Sequence, residues 1–262
     1  MKKLLIIAVG AIIVSCNSKT ESAVKYSDLK NDNLKGDVAS IEETPYKVDS
    51  ATGKIGAMDT CCTDKWEYDA DGIYTNPVSK NDKGVIVGSS EVSRYPDGLF
   101  KGTKDTKYGK VVFMMDTKVD DKGQYTLAES TDSNGKRDYY YTNITHNEYG
   151  QVTHWKQFDK DSVFRMEGDS KYDKSQWIGF TGKDSVGKVK NSSTAKYNDK
   201  GEQTEVSNTN VGKDSTTTHI TKYTYDTHDD MGNWTQRTEW NDKGQAVKVV
   251  KRVYTYRNKT KK

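Results

Sequence analysis

The chain has 262 residues, with 41 basic and 38 acidic side chains and a formal net charge of +3. A charge this close to neutral gives no electrostatic case for nucleic acid, so we expect no nucleic-acid partner. Only 3 residues are proline, which excludes a proline-rich linker as the main component of the chain.

Aromatic residues take the place of aliphatic ones in this composition, with 17 Tyr and 5 Trp. Few aliphatic residues combined with a high net charge would predict disorder, but the net charge here is small. Tyr, Trp, Val and Thr suit the pleated and half-exposed surface of a β-sheet. The composition therefore predicts an ordered all-β protein.

Residues 1–15 have the layout of a signal peptide. Lys2 and Lys3 form a charged start, and an uncharged apolar run follows from Leu4 to Val14. That run is too short to span a bilayer, which takes about 20 residues, but it has the length of a signal-peptide core. We therefore expect residues 1–15 to be removed.

Ile13-Val14-Ser15-Cys16 resembles the bacterial lipobox, which usually has Leu where Ile13 stands. The resemblance implies that Cys16 carries acyl chains such as palmitate and attaches the mature chain to a membrane. Asn17 follows, and not the Asp that would resemble an inner-membrane retention signal, so we expect the outer membrane. The alternative is a plain secretory signal followed by an incidental cysteine.

Three further segments are predicted beyond Cys16. Residues 16–35 are polar and lack an apolar period, which predicts a flexible tether. Residues 36–256 alternate short β-type runs with turn signals and form the predicted β-domain. Residues 257–262 are a basic tail, which we interpret as a solvated terminus.

Asn/Asp-to-Gly turn signals recur through the β-domain, and each predicts a hairpin turn in which Gly takes a positive φ. They end at Gly72, Gly84, Gly98, Gly123, Gly135, Gly150, Gly201, Gly232 and Gly244. Spacings near 12 and 26 residues indicate a two-stranded hairpin that repeats and packs against its neighbours. We expect Gly232 to require its positive φ and Gly36, beside the tether, to tolerate a side chain.

Tyr223-Thr-Tyr-Asp226 with Gly232-Asn-Trp-Thr235 resembles the repeat of the YD-repeat (rearrangement-hotspot) proteins. Weaker copies are Tyr172-Asp173 with Gln176-Trp177, and Trp66-Glu-Tyr-Asp69 with Asp71-Gly72. The chain departs from that family in its irregular period, and it is similar to short bacterial lipoproteins that carry a few such repeats. The resemblance implies a β-sheet wall with a binding surface, and no particular chemistry.

Four tryptophans near strand ends are the candidate ligand-stacking residues: Trp155, Trp177, Trp234 and Trp240. Flat aromatic faces beside Asp, Asn and Gln suit stacking on sugar rings. The alternative is that these rings form cross-strand pairs that replace an aliphatic core.

Cys61 and Cys62 are a candidate vicinal disulfide; the alternatives are two reduced thiols or bridges to another chain. The four histidines have no zinc-ligand spacing, and the Asp-rich turns lack the spacing of a calcium loop. No nucleophile motif occurs either. The sequence thus predicts no catalytic residue, metal or cofactor, although a carboxylate pair assembled in space would leave no such motif.

These observations predict an antiparallel meander of stacked β-hairpin repeats, about 16–18 strands, forming a curved open sheet or a solenoid-like wall. The competing architecture is a half-barrel that cradles a lipid. The predicted function is a non-catalytic, membrane-anchored envelope lipoprotein that binds a protein or a glycan. A periplasmic hydrolase with a carboxylate pair is the alternative from another class.

Overall fold

A computed structural model of the chain describes residues 27–49, 51–59, 62–96, 100–121, 123 and 125–257. These residues form one short helix and 17 strands, all paired antiparallel. The elements are α1 (Asp28–Asn31), β1 (Val38–Val48), β2 (Ile55–Met58), β3 (Cys62–Glu67), β4 (Val78–Asn81), β5 (Ile86–Arg94), β6 (Phe100–Lys107), β7 (Lys110–Val119), β8 (Tyr125–Thr131), β9 (Arg137–His146), β10 (Val152–Asp159), β11 (Phe164–Asp173), β12 (Gln176–Asp184), β13 (Val189–Tyr197), β14 (Gln203–Val211), β15 (Thr216–His228), β16 (Trp234–Trp240) and β17 (Ala246–Tyr256).

Short turns built by Asn or Asp and closed by Gly connect these strands, as the sequence predicts. In one of them Asn241 Oδ1 accepts hydrogen bonds from the backbone N–H groups of Lys243 at 3.0 Å and Gln245 at 2.9 Å. Gly244 completes the turn at φ 72°. Eight of the nine predicted turn glycines have a positive φ, and the ninth, Gly98, lies outside the described residues.

The sheet closes on itself, so the expectation of an open curved sheet or a solenoid-like wall is wrong. One edge of β1 pairs with β17, where Ile41 lies opposite Tyr254, and its other edge pairs with β2 and β3. The ring runs from β1 through β3 to β17 and back, a barrel of 16 strands, with β2 lying in line with β3. The same pairing makes the barrel complete and not half-open, and a barrel with an interior fits the competing lipid-binding architecture in part.

Closure has a physical reason that local sequence signals do not carry. An open sheet of this length would leave two edge strands with unpaired N–H and C=O groups, and closure pairs both edges. The pairing partners β1 and β17 stand about two hundred residues apart in the chain. A hairpin period is the same in an open and a closed meander, so it predicted the strands without predicting the ring.

The barrel has two distinct ends. At the end that we call the mouth, β10, β12, β14 and β16 begin, and residues 27–37 lie across it. At the opposite end, the far rim, eight turns join the strands. No helix among the described residues combines the length and apolar character required to cross a bilayer.

The best-buried apolar cluster lies at the mouth, where the N-terminal residues meet β1. Val38 and Ile41 are fully buried there together with Tyr68. Leu29 and Leu34, from the segment predicted to be a tether, pack against them. Residues 27–35 are therefore packed into the barrel, and residues 16–26 lie outside the described residues.

Candidate functional site

A cavity of about 930 Å³ lies in the mouth, between residues 32–35 and the inner wall. Its wall is aromatic and amide-rich, with Trp66, Trp177 and Trp234 among the rings and Gln151, Gln176 and Gln203 among the amides. A concave site with aromatic faces and a few polar groups is what small-ligand binding requires.

Tyrosine hydroxyls fasten this wall around the mouth. Each of five tyrosines donates a hydrogen bond to the backbone carbonyl of a residue 20 to 25 positions earlier in the chain. The pairs are Tyr125 with Phe100 (2.8 Å), Tyr172 with Val152 (3.2 Å), Tyr197 with Trp177 (2.7 Å), Tyr225 with Gln203 (2.8 Å) and Tyr254 with Trp234 (2.9 Å). In all but the Tyr125 pair the bond joins the end of one strand to the start of the strand before it, so it closes one hairpin at the mouth.

The N-terminal segment is held across the mouth by polar contacts to several strands. Asp28 is buried and accepts hydrogen bonds from the Tyr74 backbone N–H at 2.8 Å and from Arg94 at 3.0 Å. Asn233 is also buried and bonds both backbone groups of Lys35, each at 2.8 Å. We call residues 27–37 the plug.

Asp32 of the plug lines the cavity, with its carboxyl still open to solvent. The surrounding wall displaces much of its hydration, which raises the pKa of Asp32 from 3.8 to about 6. The nearby Asp28 raises it further, whereas Arg252 and Tyr68 act in the opposite direction. Asp32 is thus a carboxyl group that changes charge near neutral pH within the cavity.

Two arginines flank Trp234 on the opposite wall. The guanidinium of Arg252 lies 4.0 Å from a ring centroid of Trp234, and that of Arg237 lies 5.0 Å away. Arg252 is paired with Glu43 at 2.7 Å and Arg237 with Glu239 at 2.9 Å. Arg237 Nε is buried and has no hydrogen-bond partner among the described residues, so it is an unsatisfied donor in the wall beside Trp234.

The structure separates the four predicted stacking residues. Trp177 and Trp234 line the cavity. Trp155 lies deeper, and its ring centroid is 6.2 Å from that of Phe180. Both rings pack over Gly168, where a Cβ would collide with them. Trp240 lies on the outer wall, and its indole N–H donates to Thr224 Oγ1 at 3.0 Å. The cavity thus brings together two of the four.

Several cavity residues escaped the sequence analysis. Trp66 stands two residues before Tyr68-Asp69, a weak copy of the repeat, and that position was the signal that could have identified it. Asp32 fell in the predicted tether, and Arg237 and Arg252 carry no motif. These residues line one cavity because barrel closure brings β1 beside β17.

Cys62 is buried at the start of β3 and is disulfide-bonded. Cys61 and Cys16 lie outside the described residues, so the vicinal pairing and the acylation of Cys16 stay predictions. Among the described residues no group of three His, Cys, Asp or Glu side chains is placed to hold a metal ion.

The outer wall carries cross-strand ion pairs. Glu91 and Lys104 approach to 3.3 Å in the middle of β5 and β6, and Asp169 of β11 bonds Lys183 near the end of β12 at 3.2 Å. Lipid-facing barrels present an apolar band about 25 Å tall on their outer face. These described pairs place charge on that face.

Comparison with solved structures finds the same kind of fold. A porin-like protein from Bacteroides uniformis superimposes with a TM-score of 0.53 at 15% sequence identity, over 83% of this chain and 96% of that chain. At this identity the likeness establishes the fold alone. No known family profile and no curated protein matches the chain.

Toxin shells overlap the chain less closely. The Photorhabdus luminescens Tc holotoxin pore gives a TM-score of 0.34 at 16% identity, over 74% of this chain and 10% of that chain. The TcdB2-TccC3-Cdc42 structure also gives 0.34 at 16% identity, over 79% and 11%. TM-scores this low do not establish a shared fold, and no conclusion follows from them.

Proposed function

We propose that this chain is a non-catalytic lipoprotein of the bacterial envelope whose mouth cavity binds a saccharide. Acyl chains on Cys16 hold it to the outer membrane, and the barrel stands in the aqueous layer beside it. The leader and the lipobox resemblance support the anchor. The charged outer wall supports a barrel that is surrounded by water.

The observation that carries the binding proposal is the position of Trp177 in the cavity wall. Its backbone carbonyl is fixed by Tyr197, and among the described residues its ring makes no aromatic or cation contact. Because the backbone of Trp177 is held in place and its ring has no such contact, the ring is suited to stack on a pyranose face. Gln176 and Gln203 beside it supply amide groups for sugar hydroxyls.

A glycan array followed by titration of the best hit tests this proposal. Trp177→Ala should weaken binding about tenfold, which corresponds to a stacking contribution near 1.4 kcal/mol. Trp240→Ala is the matched control, because Trp240 lies on the outer wall. If no saccharide binds, or if both variants bind like the parent, the saccharide proposal is wrong.

The anchor is tested separately by fractionation. Cys16→Ser should release the protein from the membrane fraction while leaving its thermal melt unchanged, because the first strand of the barrel begins only at Val38. One acyl chain binds a bilayer only marginally and two or more hold stably, so loss of acylation should release the chain. Unchanged processing in the presence of globomycin would exclude the lipobox.

A hydrolase is the second candidate, and the raised pKa of Asp32 favours it, since a general acid needs a protonated carboxyl near neutral pH. The array hit should then be cleaved, with new reducing ends. Asp32→Asn should abolish cleavage and retain binding. A saccharide that stays intact after prolonged incubation leaves the non-catalytic proposal standing.

A further inference from the structure

The far rim of the barrel is unusually apolar for a solvent-facing surface. Twelve large hydrophobic side chains are exposed among the described residues, and eight of them lie in the far-rim turns or within two strand residues of them. They are Ile55, Val85, Ile86, Tyr108, Val163, Val186, Val189 and Val247. Val186 is 84% exposed and Tyr108 67%. Exposed apolar residues that gather on one end of a molecule mark a contact surface.

Charge is also divided between the two ends. The far-rim segments, each a turn with the two strand residues on either side, are 47–56, 80–87, 106–111, 130–138, 158–165, 183–190, 210–217 and 239–247. These segments contain 15 basic and 10 acidic residues. The mouth segments defined the same way are 27–39, 66–79, 93–101, 118–126, 145–153, 172–177, 196–204 and 227–235. They contain 9 basic and 15 acidic residues, and residues 257–262, which follow β17 where it ends at the mouth, carry four further basic residues.

Basic and apolar groups are interleaved on the rim. Lys107 Nζ lies 5.9 Å from the ring centroid of the exposed Tyr108, and Lys110 follows on the next strand. Lys188 stands between Val186 and Val189 in the same way. Lysine stems cover apolar surface while their ammonium groups reach phosphate oxygens, as at membrane interfaces.

We infer that the far rim docks on an anionic lipid surface. Valine, isoleucine and tyrosine side chains enter the headgroup layer, and the flanking lysines bind lipid phosphates. The mouth lies at the opposite end of the strands, so its cavity opens away from the membrane. This inference concerns a different surface from the mouth cavity and does not depend on its ligand.

The proposed anchor is compatible with this orientation. The 11 residues from Cys16 to Ser27 can span at most about 40 Å when extended. A strand of nine residues is about 30 Å long, and its tilt in a barrel shortens the axial length. A chain that leaves the mouth can therefore return to the membrane on which the rim rests.

Vesicle flotation tests the docking without the acyl chains. The probe protein is the chain from residue 16 to residue 262 with Cys16→Ser, which retains every strand of the barrel. It should float with vesicles of phosphatidylcholine and phosphatidylglycerol and remain at the bottom with phosphatidylcholine alone. Salt at about 1 M, where the Debye length is about 3 Å, should release it.

A paired variant identifies the surface. Val163→Asp with Val186→Asp should lower the bound fraction about tenfold, because both residues lie in rim turns. Val253→Asp is the control, since Val253 is 66% exposed on the outer wall and should leave binding unchanged. Circular dichroism of all variants verifies the fold.

Three outcomes would overturn the inference: no binding to the anionic vesicles, equal loss with Val253→Asp, or full binding by the rim variant. Self-association of the parent that the rim variant abolishes, without any lipid binding, would instead assign the rim to a second copy of the chain.

Discussion

The hydroxyl of Tyr197 donates a hydrogen bond to the carbonyl of Trp177 at 2.7 Å and so joins the last residue of β13 to the second residue of β12. Tyr172, Tyr225 and Tyr254 make the equivalent bond around the mouth, whereas Tyr125 joins the start of β8 to the start of β6. A bond between strand ends holds the wall of the cavity in place, so the repeat tyrosine stabilises the binding site as well as the fold.

Tyr197→Phe should lower stability by about 0.5–1.5 kcal/mol, the net value of one hydrogen bond. For a domain of this size each kcal/mol lowers the melting temperature by about 2–4 °C. Tyr108→Phe is the control, because Tyr108 is exposed on the far rim. Equal melting temperatures of the two variants would show that the hydroxyl bond contributes nothing.

Gly232→Val should destabilise the barrel, because Gly232 has φ +84° and a β-branched residue is strained in that region. We expect a loss of about 1–2 kcal/mol or more, read as a lower melting temperature. The sequence expectation for Gly232 is thus confirmed, whereas the one for Gly36 is wrong. Gly36 has φ +79°, and a Cβ there would stand 2.7 Å from the side chain of Met231.

Gly56→Val is the appropriate control for that experiment. Gly56 lies in β2 and is exposed, and the nearest atom to a Cβ would be the Lys47 carbonyl oxygen at 3.6 Å. A melting temperature of Gly232→Val that matches this control would mean that the turn tolerates the strain.

The strands and turns could be predicted from the sequence because their signals are local. Asn241 and Gly244 define their turn by themselves, through an Asx hydrogen bond and a positive φ. Closure and the plug could not be predicted, since they depend on contacts such as Lys35 with Asn233 between residues 198 positions apart. The polar composition of the plug resembles that of a tether, although Leu29 and Leu34 are partly buried against the core cluster.

His146 occupies the position just before a mouth turn that Tyr172 and Tyr197 occupy in other repeats. Its ring lies 4.8 Å from that of Tyr125, and both ring nitrogens are buried without a hydrogen-bond partner among the described residues. Burial lowers the pKa of His146 below 6.5. The folded state therefore disfavours the charged ring, and stability is lost as the pH falls below about 6.5.

His146→Tyr should remove this acid sensitivity and raise the melting temperature at about pH 5 more than at about pH 8. The new hydroxyl is expected to reach a carbonyl of β8, as its counterparts do on their own neighbours. His219→Tyr changes an exposed histidine and should leave the pH profile unaltered. A profile of His146→Tyr parallel to that of the parent would contradict this account.

Asp32→Asn should flatten the pH dependence of stability in a pH range different from that of His146→Tyr. The pKa of Asp32 is about 6 in the folded chain and 3.8 ordinarily, so the folded state binds the proton more tightly. Stability consequently falls as the pH rises from about 4 to about 6. The variant should match the parent near pH 4 and melt higher near pH 7. Asp230→Asn, at an exposed mouth turn, controls for the loss of one charge.

The site was less predictable than the strands because its members come from unrelated positions. Trp177 and Trp234 could be selected as aromatic strand-start residues, but the same pattern also selected Trp155 and Trp240. Which face a side chain occupies depends on β-bulges, such as the one that separates the pairings of Lys171 and Tyr172 with β12. A bulge changes which face the following residues occupy without a clear sequence mark.

Asn233→Ala should release the plug while the barrel stays closed. The Asn233 side chain accepts from the Lys35 N–H, donates to the Lys35 carbonyl and donates to Tyr256 Oη at 2.8 Å. Alanine removes the partner of both Lys35 backbone groups, at a cost of about 1–3 kcal/mol, while the Tyr256 hydroxyl keeps its bond to Asp229. Because the backbone hydrogen bonds between strands do not involve the Asn233 side chain, the loss of stability should be concentrated in residues 27–37.

Hydrogen exchange distinguishes local release from global destabilisation. Backbone amides of residues 27–37 should exchange faster in Asn233→Ala than in the parent, whereas those of β5 to β8 should keep their rates. Asn134→Ala, at an exposed far-rim turn, should leave the exchange of residues 27–37 unchanged. Uniformly faster exchange in every strand would show that the plug is part of one cooperative unit with the barrel. Unchanged exchange in residues 27–37 would show that Leu29, Leu34 and Asp28 hold the plug without Asn233.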